Sequence, residues 1–218
     1  MKSFISRIGY GVAGALVNAT LALMILGDGV ATAETIQILA LGDSLTAGYG
    51  LERRDSFPVQ LERALIEADT DAVVSNGGVS GDTSAGGRAR LTWVLAEKPH
   101  VAIVELGAND GLRGLDPATT FANLDAIVAR LLEAGVAVLL TGMQAPPNLG
   151  RDYGRAFAAL YPRLATKHGV VLYPFFLEGV ATIPALNQDD AIHPNADGVA
   201  VIVKRIVPYV RKVMPPGG

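Results

Sequence analysis

Five short apolar runs alternate with amphipathic stretches along this chain of 218 residues, and this alternation limits the fold more than any other feature. Each run has the length of a buried strand. The stretches between them carry apolar residues at a helical spacing, as Leu61, Leu65 and Ala68 do in residues 57–68. Strands that alternate with helices over short connections form right-handed crossovers and a parallel sheet covered on both faces. The sequence therefore predicts a three-layer α/β/α sandwich with a central, mostly parallel five-stranded sheet.

The pattern also predicts where the elements lie. Strands are expected at residues 36–41, 72–75, 101–106, 136–141 and 170–173. Helices are expected at residues 57–68, 84–97, 117–133, 151–168 and 196–213. The third helix is expected to start at Asp116-Pro117. An aspartate can cap the first turn, and a proline is tolerated there because an N–H at that position would have no partner within the helix. Pro162 is expected to bend the fourth helix.

Four polar islands interrupt this pattern, and three of them directly follow predicted strands. They are Gly42-Asp43-Ser44-Leu45, residues 76–84, Gly107-Ala108-Asn109-Asp110 and Asp190-Ala191-Ile192-His193. Open α/β folds bind ligands outside the carboxyl ends of their strands. We therefore expect the islands to share one crevice at that edge of the sheet.

Two of the islands contain the residue types of a nucleophilic serine and its base. A serine hydroxyl is a poor nucleophile and needs a base, which in turn needs a carboxylate to hold its tautomer. His193 follows Asp190 by three residues, so Asp190 and His193 would pair locally and meet Ser44 through folding. Asp189 competes with Asp190 for this role. A capping or turn serine at position 44 is the alternative.

All four islands, in this order, resemble the four blocks of the SGNH (GDSL) hydrolase superfamily. Residues 81–84, 104–114 and 188–195 are similar to the periplasmic group with acyl-thioesterase, lysophospholipase and arylesterase activities. The resemblance implies a flavodoxin-like sheet. The Gly-x-Ser-x-Gly elbow of α/β-hydrolases is not satisfied, because Thr46 stands where its second glycine would be. The sequence therefore points away from the α/β-hydrolase fold.

The resemblance assigns roles to five residues. The catalytic residues would be Ser44, Asp190 and His193, and the oxyanion hole would consist of the Ser44 and Gly81 backbone N–H groups and the Asn109 side chain. An ordinary turn glycine at 81 and a local turn residue at 109 are the alternatives. The implied activity is hydrolysis of carboxylic esters and thioesters with short- to medium-chain acyl groups, with neither cofactor nor metal. Asp43 is interpreted as a structural acceptor for nearby backbone.

Loops after the third and fourth strands and the segment beside His193 are expected to contact the acyl chain. Their apolar members are Leu112, Leu115, Pro146, Leu149 and Ile192. Ordinary surface loops with exposed leucines are the alternative. A carbohydrate O-deacetylase on the same fold would need a more polar and open groove. A non-catalytic binding module would not need the whole set of site residues.

The first 33 residues have the pattern of a cleaved signal peptide. Lys2 and Arg7 precede a mostly apolar stretch at 11–26, and Ala31-Thr32-Ala33 is a small-x-small cleavage site. A membrane anchor is the alternative, but the stretch is short and interrupted by polar residues. We expect residues 34–218 to form one hydrolase domain without a stable membrane anchor, exported to the periplasm or secreted.

Composition argues against other classes of partner. The formal net charge is −3 at pH 7 and the chain has no cluster of lysine and arginine, which gives nucleic-acid binding little support. The absence of cysteine excludes disulfides and thiolate metal sites. The histidines lack the spacing of a zinc site. The expected partner is a small acyl ester or thioester.

Overall fold

The computed structural model describes residues 34–215, which form one parallel five-stranded sheet with the strand order β2-β1-β3-β4-β5. The strands are β1 (Ile36–Gly42), β2 (Ala72–Gly78), β3 (Val101–Glu105), β4 (Ala137–Thr141) and β5 (Val171–Tyr173). The predicted signal peptide at residues 1–33 lies outside the described residues. The predicted α/β class and the parallel sheet are confirmed.

Eight helices of the described residues connect or flank the strands. They are α1 (Ser44–Ala47), α2 (Phe57–Glu67), α3 (Ser84–Ala89), α4 (Leu91–Val94), α5 (Ala108–Leu112), α6 (Pro117–Glu133), α7 (Arg151–His168) and α8 (Ala196–Val213). Helices α2 and α8 pack together, whereas α3 and α7 each pack on α6. Every residue of β3 is buried, as expected for a strand covered on both faces.

Local signals explain some of the helix ends. The Asp116 carboxylate accepts a hydrogen bond from the Ala118 N–H at 3.0 Å and caps α6, as its sequence predicts. Helix α7 continues without a break through Pro162 and ends at Gly169, which is in the left-handed conformation. Within residues 34–215, none of the helices combines the length and the apolar character that crossing a bilayer requires.

The predicted single helix over residues 84–97 is wrong. The structure has α3 and α4, separated at Arg90, and a 3-10 turn over Leu95–Glu97. Two glycines at 86 and 87 weaken the helix. The Arg90 guanidinium donates hydrogen bonds to the Asp82 carboxylate at 2.7 Å and to the Gly42 carbonyl at 2.9 Å.

The strand order places two of the polar islands next to each other. The chain runs from β1 to β2 on one side and then returns to add β3 on the other side of β1, so the order reverses between β1 and β3. Ligand sites of open α/β sheets lie at such a switch point. Ser44 follows β1 and Asn109 follows β3, so both residues flank it.

Candidate active site

Ser44, His193 and Asp190 form a continuous chain of hydrogen bonds. The Ser44 Oγ lies 2.9 Å from His193 Nε2, and His193 Nδ1 lies 2.6 Å from Asp190 Oδ2. The carboxylate can only accept, so the network assigns the imidazole proton to Nδ1 and leaves Nε2 as an acceptor. The serine proton therefore points at a nitrogen that can take it.

The Asp190 carboxylate is held in its ionised form. Its Oδ1 accepts the backbone N–H groups of His193 at 3.0 Å and Ile192 at 2.9 Å. These contacts lower the pKa of Asp190 to about 2; the His193 backbone N–H has the largest effect and the His193 side chain the next. The turn includes Ala191 at a φ of 58°, a left-handed conformation that is unfavourable for alanine. The competing Asp189 is exposed, and none of the described hydrogen bonds joins its side chain to His193.

Besides Ser44 and Asp190, Tyr49 and Gln188 also contact His193. The Tyr49 ring centroid lies 4.7 Å from that of His193. The Gln188 backbone N–H donates to the His193 carbonyl at 2.8 Å, and its side-chain amide donates to the Tyr49 carbonyl at 2.8 Å. Sequence reasoning missed both residues, because no local pattern shows that position 49 meets position 193.

Asp43 connects the turn at Ser44 to the segment after the third strand. Its Oδ1 accepts the Leu45 N–H at 3.0 Å, which caps the short helix that begins at Ser44. Its Oδ2 accepts the Asn109 side-chain amide at 3.0 Å. Burial raises the pKa of Asp43 to about 6, and these two donors act in the opposite direction. Asp43 is thus a structural acceptor, as the sequence predicts, and it also orients Asn109.

Helix α5 sets the position of Asn109. Gly107 precedes this helix at a φ of 113°, where a Cβ would collide with the Tyr161 hydroxyl that donates to the Leu106 carbonyl at 3.0 Å. The buried Asp110 carboxylate accepts from the Ser84 N–H at 2.8 Å and from the Thr120 hydroxyl at 3.1 Å. These bonds join α5 to α3 and α6. Asp110 therefore has a structural role that sequence reasoning did not assign.

Gly81 lies on an exposed loop that is bonded to the end of β1. The Val79 N–H donates to the Gly42 carbonyl at 3.0 Å, and the Arg113 guanidinium donates to the Gly81 carbonyl at 2.9 Å. Gly81 has a φ of 83°. Across residues 34–215, neither the Ser44 N–H nor the Gly81 N–H donates to a protein acceptor. Both groups therefore remain available to an oxygen atom of a substrate.

A cavity of about 310 Å³ opens beside Ser44, Asn109 and His193. Most of its other lining residues are apolar, namely Leu45, Ala108, Leu112, Met143, Ala145, Pro146, Phe175, Leu177, Ala181 and Ile192. Leu112, Pro146 and Ile192 were expected at this place. Met143, Phe175, Leu177 and Ala181 were missed. The last three come from the segment after β5, which carries no polar island.

Leu115 and Leu149, which the sequence also predicts to contact the acyl chain, are not among the residues that line this cavity. Tyr153 donates to the Leu115 carbonyl at 2.7 Å and thereby fixes that part of the loop at the start of α7. The Leu149 side chain lies next to Gly114.

A second cavity of the described residues lies away from Ser44. A larger cavity of about 690 Å³ is lined by Lys98, His100, Val136 and their neighbours near the amino ends of β3 and β4, and by none of the site residues. The described part of the chain contains no group of three or more His, Cys, Asp or Glu side chains placed to hold a metal ion.

The chain is similar to known hydrolases over most of its length. The GDSL-like Lipase/Acylhydrolase family model matches residues 40–201. An arylesterase of Vibrio mimicus is 42% identical over 162 residues, which cover 74% of this chain and 81% of the relative. Thioesterase 1/protease 1/lysophospholipase L1 of Escherichia coli (strain K12) is 40% identical over 193 residues, which cover 86% of this chain and 90% of the relative.

Solved structures agree with these similarities. A crystal structure of TesA superposes with a TM-score of 0.78 at 39% sequence identity, and the match covers 82% of this chain and 99% of that one. The strand order, the four sequence blocks and the match to the family model all indicate the same family. The resemblance to the SGNH (GDSL) hydrolases is therefore confirmed, and the chain belongs to the GDSL-like lipase/acylhydrolase family.

Proposed function

We propose that this protein hydrolyses carboxylic esters and thioesters of short- to medium-chain acyl groups through an acyl-enzyme on Ser44. The observation that carries the proposal is the hydrogen-bond chain from Ser44 through His193 to Asp190. Such a chain activates a serine that would otherwise be a weak nucleophile. The similarity to an arylesterase and to a thioesterase/lysophospholipase supports the same reaction class.

In the first half of the reaction, Ser44 Oγ attacks the acyl carbonyl carbon and His193 Nε2 takes the serine proton. Asp190 stabilises the imidazolium that forms, because it stays ionised at neutral pH. The carbonyl π electrons move to the oxygen, which becomes an oxyanion. When this tetrahedral intermediate collapses, the bond to the alcohol or thiol breaks and His193 gives its proton to the leaving group.

Three donors would stabilise the oxyanion: the Ser44 N–H, the Gly81 N–H and the Asn109 side-chain amide. The two backbone groups have no acceptor within residues 34–215, and Asp43 holds the Asn109 amide by one of its hydrogens. Donors fixed before the reaction need no reorganisation when the charge develops.

In the second half of the reaction, water replaces the leaving group. His193 Nε2 takes a proton from this water as its oxygen attacks the acyl carbonyl carbon. The second tetrahedral intermediate collapses, the bond to Ser44 Oγ breaks, and His193 returns the proton to the serine. The products are a carboxylic acid and the free enzyme.

The cavity beside Ser44 would hold the acyl chain. Its apolar wall favours a hydrocarbon over a sugar, since burying hydroxyl groups without partners is unfavourable. This argues against a carbohydrate O-deacetylase. Phe175 and Leu177 would contact the chain together with Leu112, Pro146 and Ile192.

An assay with p-nitrophenyl acetate, butyrate and octanoate, beside an acetylated sugar, tests the proposal. We expect release of nitrophenol, a dependence on chain length, and little action on the sugar. His193→Ala should remove nearly all turnover. His168→Ala is the matched control, because His168 makes a similar contact of 2.7 Å with Asp125 far from Ser44 and should leave turnover unchanged. A preference for the acetylated sugar would favour the deacetylase instead.

We further propose that the protein is exported and that residues 1–33 are removed. The support is the basic start, the apolar stretch and the small residues at 31–33. Protein recovered from the periplasm or medium of an exporting host should begin at Glu34. An intact mass that still includes Met1–Ala33 in that fraction would contradict the proposal.

A further inference from the structure

Glu105 is a buried acid that the reaction above does not use. It is the last residue of β3, has no solvent exposure, and lies between the buried Val104 and Leu106. It pairs in register with Gly42 of β1, directly before the nucleophile turn. An isolated carboxyl group in an apolar sheet is costly unless its oxygens have partners.

Only one of the two Glu105 oxygens has a donor. Oε2 accepts from the Thr46 hydroxyl at 2.8 Å and from the Asp43 N–H at 3.3 Å. Oε1 is buried and has no donor within residues 34–215. Gly42 makes room for this arrangement, because a Cβ there would collide with Glu105 Oε2 and the Thr46 hydroxyl. The sheet is thus built around the carboxyl group.

A second buried acid, Asp43, lies beside Glu105. The carboxyl groups of Glu105 and Asp43 lie close together, since the Asp43 N–H donates to Glu105 Oε2 and the charge of Asp43 acts on Glu105, and both residues are fully buried. None of the ion pairs within the described residues includes either of them. Two carboxylates in contact cannot both be ionised at low cost, so one of them keeps a proton.

The hydrogen bonds indicate which acid keeps the proton. Asp43 accepts from two strong donors, the Leu45 N–H and the Asn109 amide, one at each oxygen. Glu105 has one oxygen without a donor. Burial, and then the charge of Asp43, raise the pKa of Glu105 well above its usual range. The other ionisable groups near the pair are Tyr161 on α7, Asp110 on α5 and His193.

We propose that Glu105 is a positioning residue: as a neutral acid it donates a hydrogen bond from Oε1 to Asp43 and so holds Asp43 as the acceptor for Asn109. The path runs from Glu105 to Asp43 and from Asp43 to Asn109. The Thr46 bond ties the same carboxyl group to α1, which begins at Ser44. One buried proton thus aligns the nucleophile turn with the oxyanion donor. The expected effect on the rate rests on the proposed function. The protonation of Glu105 does not depend on that function.

Two substitutions separate positioning from simple packing. In Glu105→Gln the amide oxygen accepts from Thr46 and the Asp43 N–H, and the amide nitrogen donates to Asp43, as the neutral acid does. In Glu105→Met the volume is retained and the donor is lost. We expect Gln to keep kcat for p-nitrophenyl butyrate within about threefold. Met should lower kcat per folded molecule by on the order of 10²-fold, approaching the loss of one oxyanion donor, with KM little changed.

The matched control is Thr141→Val. Thr141 is fully buried in the neighbouring strand and donates to the Val104 carbonyl at 3.2 Å, but it does not line the site. This variant should lose stability and keep kcat. A Met variant with normal kcat per folded molecule, or a Gln variant as impaired as Met, would overturn the proposal.

Infrared spectroscopy of the full chain detects the proton directly and does not depend on turnover or on the folding of the Met variant. At pH 8, Ser44→Ala protein should have a carbonyl band of a protonated carboxylic acid that shifts in D₂O. The band should be absent in Ser44→Ala/Glu105→Gln. If no such band exists at pH 8, Glu105 is ionised and the proposal is wrong. If the band is present but the wild-type protein cleaves no ester, the proposed function fails and the proton assignment stands.

Discussion

The Asn109 side-chain amide donates to Asp43 Oδ2 across 3.0 Å, so the residue before the proposed nucleophile orients a proposed oxyanion donor. Asp43 lies after β1 and Asn109 after β3, and the bond spans the switch point of the sheet. Strand order therefore brings the two polar islands together, and one hydrogen bond sets their relative position.

Asn109→Ala should lower kcat by on the order of 10²–10³ with KM little changed, because the removed donor acts mainly in the transition state. Kinetics and the urea unfolding midpoint of the same preparation check this. If Asn109 were only a turn residue, the variant would lose about 1 kcal/mol of stability and keep its kcat per folded molecule.

Asp43→Ala should impair kcat through the same donor, since Asn109 loses its acceptor. In a double-mutant cycle, Asp43→Ala/Asn109→Ala should be no slower than the slower single variant, to within about twofold. Losses of kcat that multiply would show that Asp43 and Asn109 act independently.

Arg90→Ala should lower the free energy of unfolding by about 1–3 kcal/mol, because this half-buried guanidinium bonds both Asp82 and the Gly42 carbonyl. Arg54→Ala is the control, since its ion pair with Glu52 is exposed and should contribute less than about 1 kcal/mol. Denaturant titration measures both losses. Equal losses would mean that Arg90 does not join the loop at Asp82 to the end of β1 at Gly42.

The stabilising effect of Asp190 should depend on pH with a definite sign. Its folded pKa of about 2 is below the ordinary value of 3.8, so the ionised form favours the fold. Its contribution is fully present above about pH 4 and is lost as pH falls toward 2. The stability difference between the wild type and Asp190→Asn should therefore shrink over that range. A difference that grows on acidification would contradict the assigned ionisation.

Much of the fold can be predicted from local sequence patterns, whereas much of the site depends on contacts between residues that are far apart in the sequence. The apolar runs and the Asp116 cap predict strands and a helix start, because both are local signals. The broken helix at Arg90 is only partly readable this way, because Gly86 and Gly87 are local signals whereas the Arg90 bond to Gly42 joins residues 48 apart in the chain. Likewise, Tyr49 reaches His193 only after the last loop folds back. An acid at the end of an apolar strand was a visible signal for Glu105, but its partners were not.

The assignment of Ser44 as the nucleophile is tested most directly with a phosphonate ester, which should label the residue that would carry the acyl group. Intact mass followed by peptide mapping should find one adduct per molecule, on Ser44, with loss of esterase activity in proportion. Labelling should be absent in Ser44→Ala and strongly slowed in His193→Ala, while His168→Ala labels at the wild-type rate. A stoichiometric, inactivating adduct on any other residue, or undiminished labelling of Ser44→Ala, would contradict the assignment of Ser44 as the nucleophile.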